Sequence, residues 1–221
     1  MPSRRPDPGP TSAAVLAGAL REQILDGRLA AGQPLRQEEL SERHAVSRHT
    51  LRSALATLVA ERLVVAEPYR GARVADLDDD ALVALQQLRC ALETEAVRLL
   101  HDAHGDAWPT AVRAPVEAAL AALEAAEQAG DPAATARAHA AVHRSLVDAA
   151  GSPRISEVCA GLDAELLLLL RGVRPHYPPG ALAAEHRAYV EEVRRGDTDA
   201  VRRHVARSTA LLRSGRGAPQ Q

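Results

Sequence analysis

Ala45-Val46-Ser47-Arg48-His49-Thr50-Leu51-Arg52-Ser53-Ala54-Leu55 is the stretch from which the fold can be read. Ser47 can accept hydrogen bonds from the free N–H groups of a helix that starts just after it, with Val46 tucked beneath. Leu51, Ala54, Leu55, Leu58 and Val59 recur at helical spacing, which buries one stripe and turns Arg48, His49 and Arg52 to the other side. Upstream, residues 37–44 form a short helix anchored by Leu40, so the unit reads helix, tight turn, helix. The second helix of such a unit can lay its first turn in a DNA major groove, where arginine pairs with guanine edges and short polar side chains reach phosphate or bases. An ordinary helical hairpin with a solvated face is the competing reading.

Working outward, Leu16, Leu20 and Ile24 mark a helix capped by Thr11 or Ser12 and closed at Gly27, and Ala31-Gly32 turns the chain back between Leu29 and Leu35. On the other side, residues 63–66 and 72–74 read as two short strands joined through Pro68-Tyr69-Arg70-Gly71. Three helices followed by a hairpin make a winged helix. Its wing arginine can enter a neighbouring minor groove, where negative potential is concentrated.

The chain of 221 residues has material for two small domains. All 27 basic residues are arginine, which excludes Schiff-base lysine chemistry and a phosphate-loop lysine. Residues 1–75 hold 11 Arg against 8 Asp+Glu, leaving 16 against 21 for the remainder, so a basic N-terminal part precedes an acidic one. The net charge of -2 opposes an architectural nucleic-acid coat. With no Phe, one Trp and three Tyr, the core must be Leu, Val and Ala in packed helices, and aromatic platforms for single strands are lacking. Cys90 and Cys159 read as buried free thiols in a reducing cytoplasm. The Leu166 to Leu170 run is far too short to span a bilayer, as is every other apolar run in the chain.

Residues 1–12 are expected to be a disordered arm, 13–76 the winged helix-turn-helix domain, 77–213 an all-α domain and 214–221 a disordered tail, giving a mostly α protein. Helices are expected over 79–101, 110–128, 132–150, 155–171, 182–195 and 198–212, divided by Gly130-Asp131-Pro132, Gly151-Ser152-Pro153, Pro175 to Pro179, and Gly196-Asp197. His139 and His143, four apart, share one helix face; His186 and His204 fall on the last two helices beside apolar neighbours. A helical bundle can gather such residues in its core, although single histidines are usually core or surface residues. His44, His101, His104 and His176 show no such pattern.

Ile24-Leu25-Asp26-Gly27-Arg28-Leu29, Gly32, Leu35, Val46-Ser47-Arg48, Leu51-Arg52, Ala54-Leu55 and Arg70-Gly71-Ala72-Arg73-Val74 together resemble the N-terminal domain of GntR-type bacterial repressors. The resemblance implies operator contacts from Ser47, Arg48, His49, Thr50, Arg52, Arg70 and Gly71, and Arg36 joins them as a further DNA-facing candidate. The remainder is similar to the all-helical FCD-type ligand domain of the FadR-like branch: Arg89-x-x-x-Glu93, His143 before a Gly-Ser-Pro break, Glu185-His186, and Gly196-Asp197 leading to His204 stand in its order. Metal-binding members of that branch use an Asp and three His. His143, His186 and His204 match the three, and His139 stands where the family has Asp.

These readings predict a one-component regulator, not an enzyme: a cytoplasmic homodimer on an inverted repeat of double-stranded operator DNA, acting as a repressor. Its effector is expected to be a small carboxylate, contacted by Arg89 and by Arg171 or Arg174 and coordinating a metal held by His139, His143, His186 and His204. Four imidazoles suit zinc first, with nickel or copper next, and disfavour magnesium and calcium. The rivals are a direct metal sensor and a metal-dependent hydrolase, the latter opposed by the lack of a His-Glu-x-x-His motif.

Overall fold

The computed structural model describes residues 11–67, 71–170, 177, 178 and 180–216, and divides into two compact units between Asp76 and Leu77.

The first unit is α1 (Ser12–Leu25), β1 (Pro34–Leu35), α2 (Gln37–Arg43), α3 (Arg48–Ala60), β2 (Val64–Glu67) and β3 (Gly71–Val74). Thr11 caps α1 through the Ala14 amide, and Ser47 caps α3 through the Thr50 amide at 3.1 Å, each satisfying a donor that the first helical turn leaves free. The tight turn between α2 and α3 passes through Ala45 in the left-handed region, φ 50°. Leu20, Ile24, Leu51, Leu58 and Leu63 are wholly or almost wholly buried, each worth about 1.5–3 kcal/mol of transfer from water. Arg21 of α1 makes a two-pronged ion pair with Glu61 at the C-cap of α3, through Nε to Oε2 at 2.7 Å and Nη2 to Oε1.

The sheet has three antiparallel strands in the order β1-β3-β2, not the two of a simple hairpin. Pro34 and Leu35, which follow the Ala31-Gly32 turn and to which the sequence assigns no element, lie against Arg73 and Ala72 of β3. Proline is tolerated there because β1 is an edge strand. Gly71 opens β3 at φ 86°, a conformation that side chains with a Cβ rarely adopt. The tip of the wing, residues 68–70, lies outside the described residues.

The second unit is helical throughout its described residues: α4 (Asp79–His104), α5 (Thr110–Ala129), α6 (Pro132–Ala149), α7 (Pro153–Leu170), α8 (Ala181–Arg194) and α9 (Thr198–Arg216). Asp78 and Asp131 cap α4 and α6, with Pro132 in the first turn of α6 where no amide is needed. The start of α8 is capped from outside: Gly180 offers no side chain, and Glu127 of α5 accepts from the Ala183 amide at 2.7 Å. Val97, Leu100, Leu123, Val142, Val193 and Val201 form one continuous core that binds α4, α5, α6, α8 and α9 together. The turn into α9 brings Gly196, φ 78°, directly beneath the His101 ring. His101 is therefore a packing partner of that turn, while remaining exposed on its other face.

Candidate functional site

Six of the buried polar side chains cluster inside the helical bundle. His139 and His143 project from one face of α6, His186 from α8 and His204 from α9; they are 3, 6, 0 and 6% exposed. Helical periodicity puts the first two together, and the shared core delivers the other two. One ligand nitrogen from each of the four lies within 4.8 Å of the rest. His143 Nε2 is 3.2 Å from His139 Nε2 and 3.3 Å from His186 Nε2.

The outer ring nitrogens decide what the inner ones can do. His186 Nδ1 donates to the Leu182 carbonyl at 2.7 Å, and His143 Nδ1 donates to Glu93 Oε2 at 3.2 Å. In a neutral imidazole only one nitrogen carries hydrogen, so both Nε2 atoms present lone pairs to each other across 3.3 Å. His204 Nδ1 faces Glu185 Oε1 at 3.7 Å, and its buried Nε2 has no hydrogen-bond partner among the described residues. Protonation does not resolve the conflict. Burial, reinforced by the neighbouring rings and the Arg89 charge, holds His139, His143 and His204 well below the usual imidazole range, and burial pushes His186 down to about 4. A multivalent cation is what such converging lone pairs fit: two nitrogens about 2.0–2.1 Å from one zinc at the tetrahedral angle stand about 3.3 Å apart. The outward hydrogen bonds to a carboxylate and a carbonyl are the supports that metal-ligating histidines use.

Glu93 and Arg89, the other two of this cluster, are 5 and 3% exposed. Glu93 Oε1 accepts from Arg89 Nε at 2.7 Å, while Oε2 serves His143 and, at 3.5 Å, the Tyr189 hydroxyl. Arg89 Nη1 reaches Gln86 Oε1 at 3.4 Å, and its buried Nη2 has no hydrogen-bond partner among the described residues. Tyr189 stacks on His204 with ring centroids 4.4 Å apart. A cleft bounded by α4, α6 and α7 opens onto Arg89, Glu93 and His143, with Ala140, Val147 and Leu162 beside Arg144 and Asp163 in its walls. Thus Arg89 is an interior residue beside the histidines, not a surface one. Arg171 and Arg174 lie outside the described residues, as does Arg70 of the wing. Glu185 Oε1, which faces His204, is also paired with Arg207 Nη1 at 2.8 Å.

In the winged unit, the expected DNA-facing residues cluster around the start of α3. Ser47 Oγ and Thr50 Oγ1 share a 2.9 Å hydrogen bond at the cap. Arg48 and Arg36 are both held by carboxylates of α2, Glu38 and Glu39, each at 3.0 Å. His49 and Arg52 are exposed on the same turns of α3. Glu38 was not singled out by the sequence, and the signal that could have found it is an acidic first turn on the helix that precedes the arginine-bearing one.

A winged helix-turn-helix ahead of a helical bundle with a buried polar centre defines a class of DNA-binding regulators. The model of the bacterial regulatory proteins of the gntR family matches residues 13–74, and that of the FCD domain matches residues 84–210, more than half of the chain. The chain belongs to the FCD-domain transcription regulators of the gntR family. It is similar to the "Probable D-xylose utilization operon transcriptional repressor" of Paenarthrobacter nicotinovorans, 29% identical over 83% of this chain and 81% of that one. It also matches the "Uncharacterized HTH-type transcriptional regulator BphR" of Paraburkholderia xenovorans, 46% identical over 79 residues, which are 36% of this chain and only 32% of that relative. In fold it resembles a GntR protein from Rhodococcus sp. RHA1, with a TM-score of 0.75 and 22% identity over 91% of this chain and 97% of that one. Among the described residues, no helix is long and apolar enough to cross a membrane.

Proposed function

We propose that this chain is a cytoplasmic repressor that binds an inverted-repeat operator as a homodimer and is controlled by a small carboxylate bound at a metal-containing helical domain. The observation that carries the reading is the opposition of the His143 and His186 lone pairs at 3.3 Å, with both tautomers fixed from outside. His139, His143, His186 and His204 are the proposed ligands, and zinc is the first choice, with nickel next. When bound, the metal supplies a concentrated positive charge and coordination positions for an oxygen donor.

The four imidazoles are neutral, where the family's Asp would have brought one negative charge. Glu93 restores a carboxylate close by, but Arg89 neutralises it. The surroundings of the centre therefore favour an anion. Arg89 can offer its unpaired Nη2 to a carboxylate entering from the cleft, against the apolar side chains of Ala140, Val147 and Leu162. The DNA contacts are proposed at Arg36, Ser47, Arg48, His49, Thr50, Arg52, Arg70 and Gly71.

The test is operator binding by fluorescence anisotropy, using sequences selected from random duplexes. Metal-loaded protein should bind with nanomolar affinity, and a panel of small carboxylates should contain members that shift it at least fivefold. Chelation should abolish their effect without abolishing DNA binding. If metal alone sets the DNA affinity and no carboxylate changes it, the direct metal sensor is the correct reading.

A further inference from the structure

The winged unit carries two carboxylates where phosphate must approach. Glu38 and Glu39 occupy the first turn of α2, and each takes one arginine of the DNA-facing set. The two pairs differ in reach. Arg36–Glu39 is a local pair three residues apart at the head of α2. Arg48–Glu38 crosses from α2 to the first residue of α3, ten positions away.

We propose that Glu38 is a specificity-determining residue, holding the Arg48 guanidinium for one guanine edge and keeping it from the phosphates. The inference rests on the operator-binding reading above. Both side chains are highly exposed, 78 and 79%, so in water the pair contributes little to folding. At a DNA surface the balance changes. Docking removes water and brings up phosphates, and a carboxylate without a donor is repelled there. Two donors are at hand: the Arg48 guanidinium, or a cytosine N4 amino group.

The stoichiometry of donors allows both partners at once. Arg48 meets Glu38 Oε1 through Nη2 alone, and Nη2 carries two N–H bonds. One serves the carboxylate; the other, together with Nη1, is free for the O6 and N7 acceptors of guanine. A phosphate could take the same donors in any sequence, but it would have to share the arginine with a like-charged carboxylate. Guanine is neutral and is not so opposed. Glu38 therefore turns an arginine that could grip any backbone into one that reads a G·C pair. Arg52 and His49 have no such carboxylate partner among the described residues and are the backbone-binding side of the same turn.

Selection from random duplexes with the full chain, followed by sequencing, tests this on four proteins: the parent, Glu38→Gln, Arg48→Ala and Glu39→Gln. In the parent, one position per half-site should be guanine with at least tenfold preference. Glu38→Gln should flatten that position several-fold, leave the others intact, and raise affinity for unrelated DNA. Arg48→Ala should flatten the same position. Glu39→Gln makes the identical charge change and should raise affinity without altering base preference. An unchanged melting temperature for Glu38→Gln will show that the fold is untouched. The proposal is overturned if Glu38→Gln keeps the parental base profile and only shifts affinity, as Glu39→Gln does. A parent that enriches no sequence overturns the operator-binding reading and this inference with it, a result distinct from the previous one.

Discussion

Replacing Glu93 by glutamine is the most informative single change in the helical domain. The carboxylate is 5% exposed and has three partners: Arg89 Nε at 2.7 Å, His143 Nδ1 at 3.2 Å and the Tyr189 hydroxyl at 3.5 Å. Glutamine keeps the shape but removes the charge and turns an N–H₂ group toward one of these donors. Arg89 is then a buried cation without a counter-ion, which costs about 3–5 kcal/mol. For a domain of this size that lowers the melting temperature on the order of 10–20 °C. Removing both partners, Arg89→Met with Glu93→Met, should recover most of this loss, since a buried pair and a well-packed apolar pair are often nearly equal in energy. Metal affinity should behave differently. His143 loses its carboxylate partner in both variants, so affinity should fall roughly 10–100-fold in each. The only tryptophan is Trp108, buried at 7% in the helical unit, so its fluorescence follows this unit during urea unfolding of the full chain. Competition with a chromophoric chelator gives the metal affinity. Glu93→Gln unfolding within about 0.5 kcal/mol of the parent, with metal affinity intact, would refute the reasoning, being no more than a neutral surface change produces.

Gly196→Ala should cost more than about 1 kcal/mol, because φ is 78° and the new Cβ would come within 2.5 Å of the His101 ring; thermal melts of the parent and of the His101→Ala/Gly196→Ala pair separate clash from backbone strain. In chelated protein, unfolding free energy should fall as pH drops from about 6.5 toward 4. Burial holds His186 down to about 4 when folded, so in that window the unfolded chain binds more protons and is favoured; a stability flat across the window contradicts the burial argument. Arg52→Ala should weaken operator binding at least tenfold, about 1–3 kcal/mol for a base or close phosphate contact, and undiminished binding would move the DNA surface elsewhere.

The elements that depend on local chemistry could be read from the chain. Ser47 as cap, the Leu51 to Leu58 stripe, Gly130-Asp131-Pro132 and Gly196-Asp197 each act within a few residues, and the helices start and stop there. β1 escaped because Pro34 and Leu35 are too short a run to alternate, and they become a strand only by pairing with β3, some forty residues on. The site divides in the same way. His139 and His143 announce themselves by spacing on one helix. That Glu93 orients His143 across fifty residues of sequence, or that Tyr189 stacks on His204, follows from how α4, α8 and α9 meet the same core. Arg89 and Glu93 are visible as a helical pair four apart, but the same spacing serves solvent-exposed pairs such as Arg98 and Asp102. Their burial is a property of the bundle.

The most direct test of the central claim is elemental analysis of the full chain purified without a metal-affinity tag, beside His143→Ala and His186→Ala. The account predicts one divalent transition metal per chain in the parent and its loss from both variants. A parent without stoichiometric metal, or variants that keep it, would contradict the metal centre. Loss in these two with retention in His139→Ala would limit the ligand set to His143, His186 and His204.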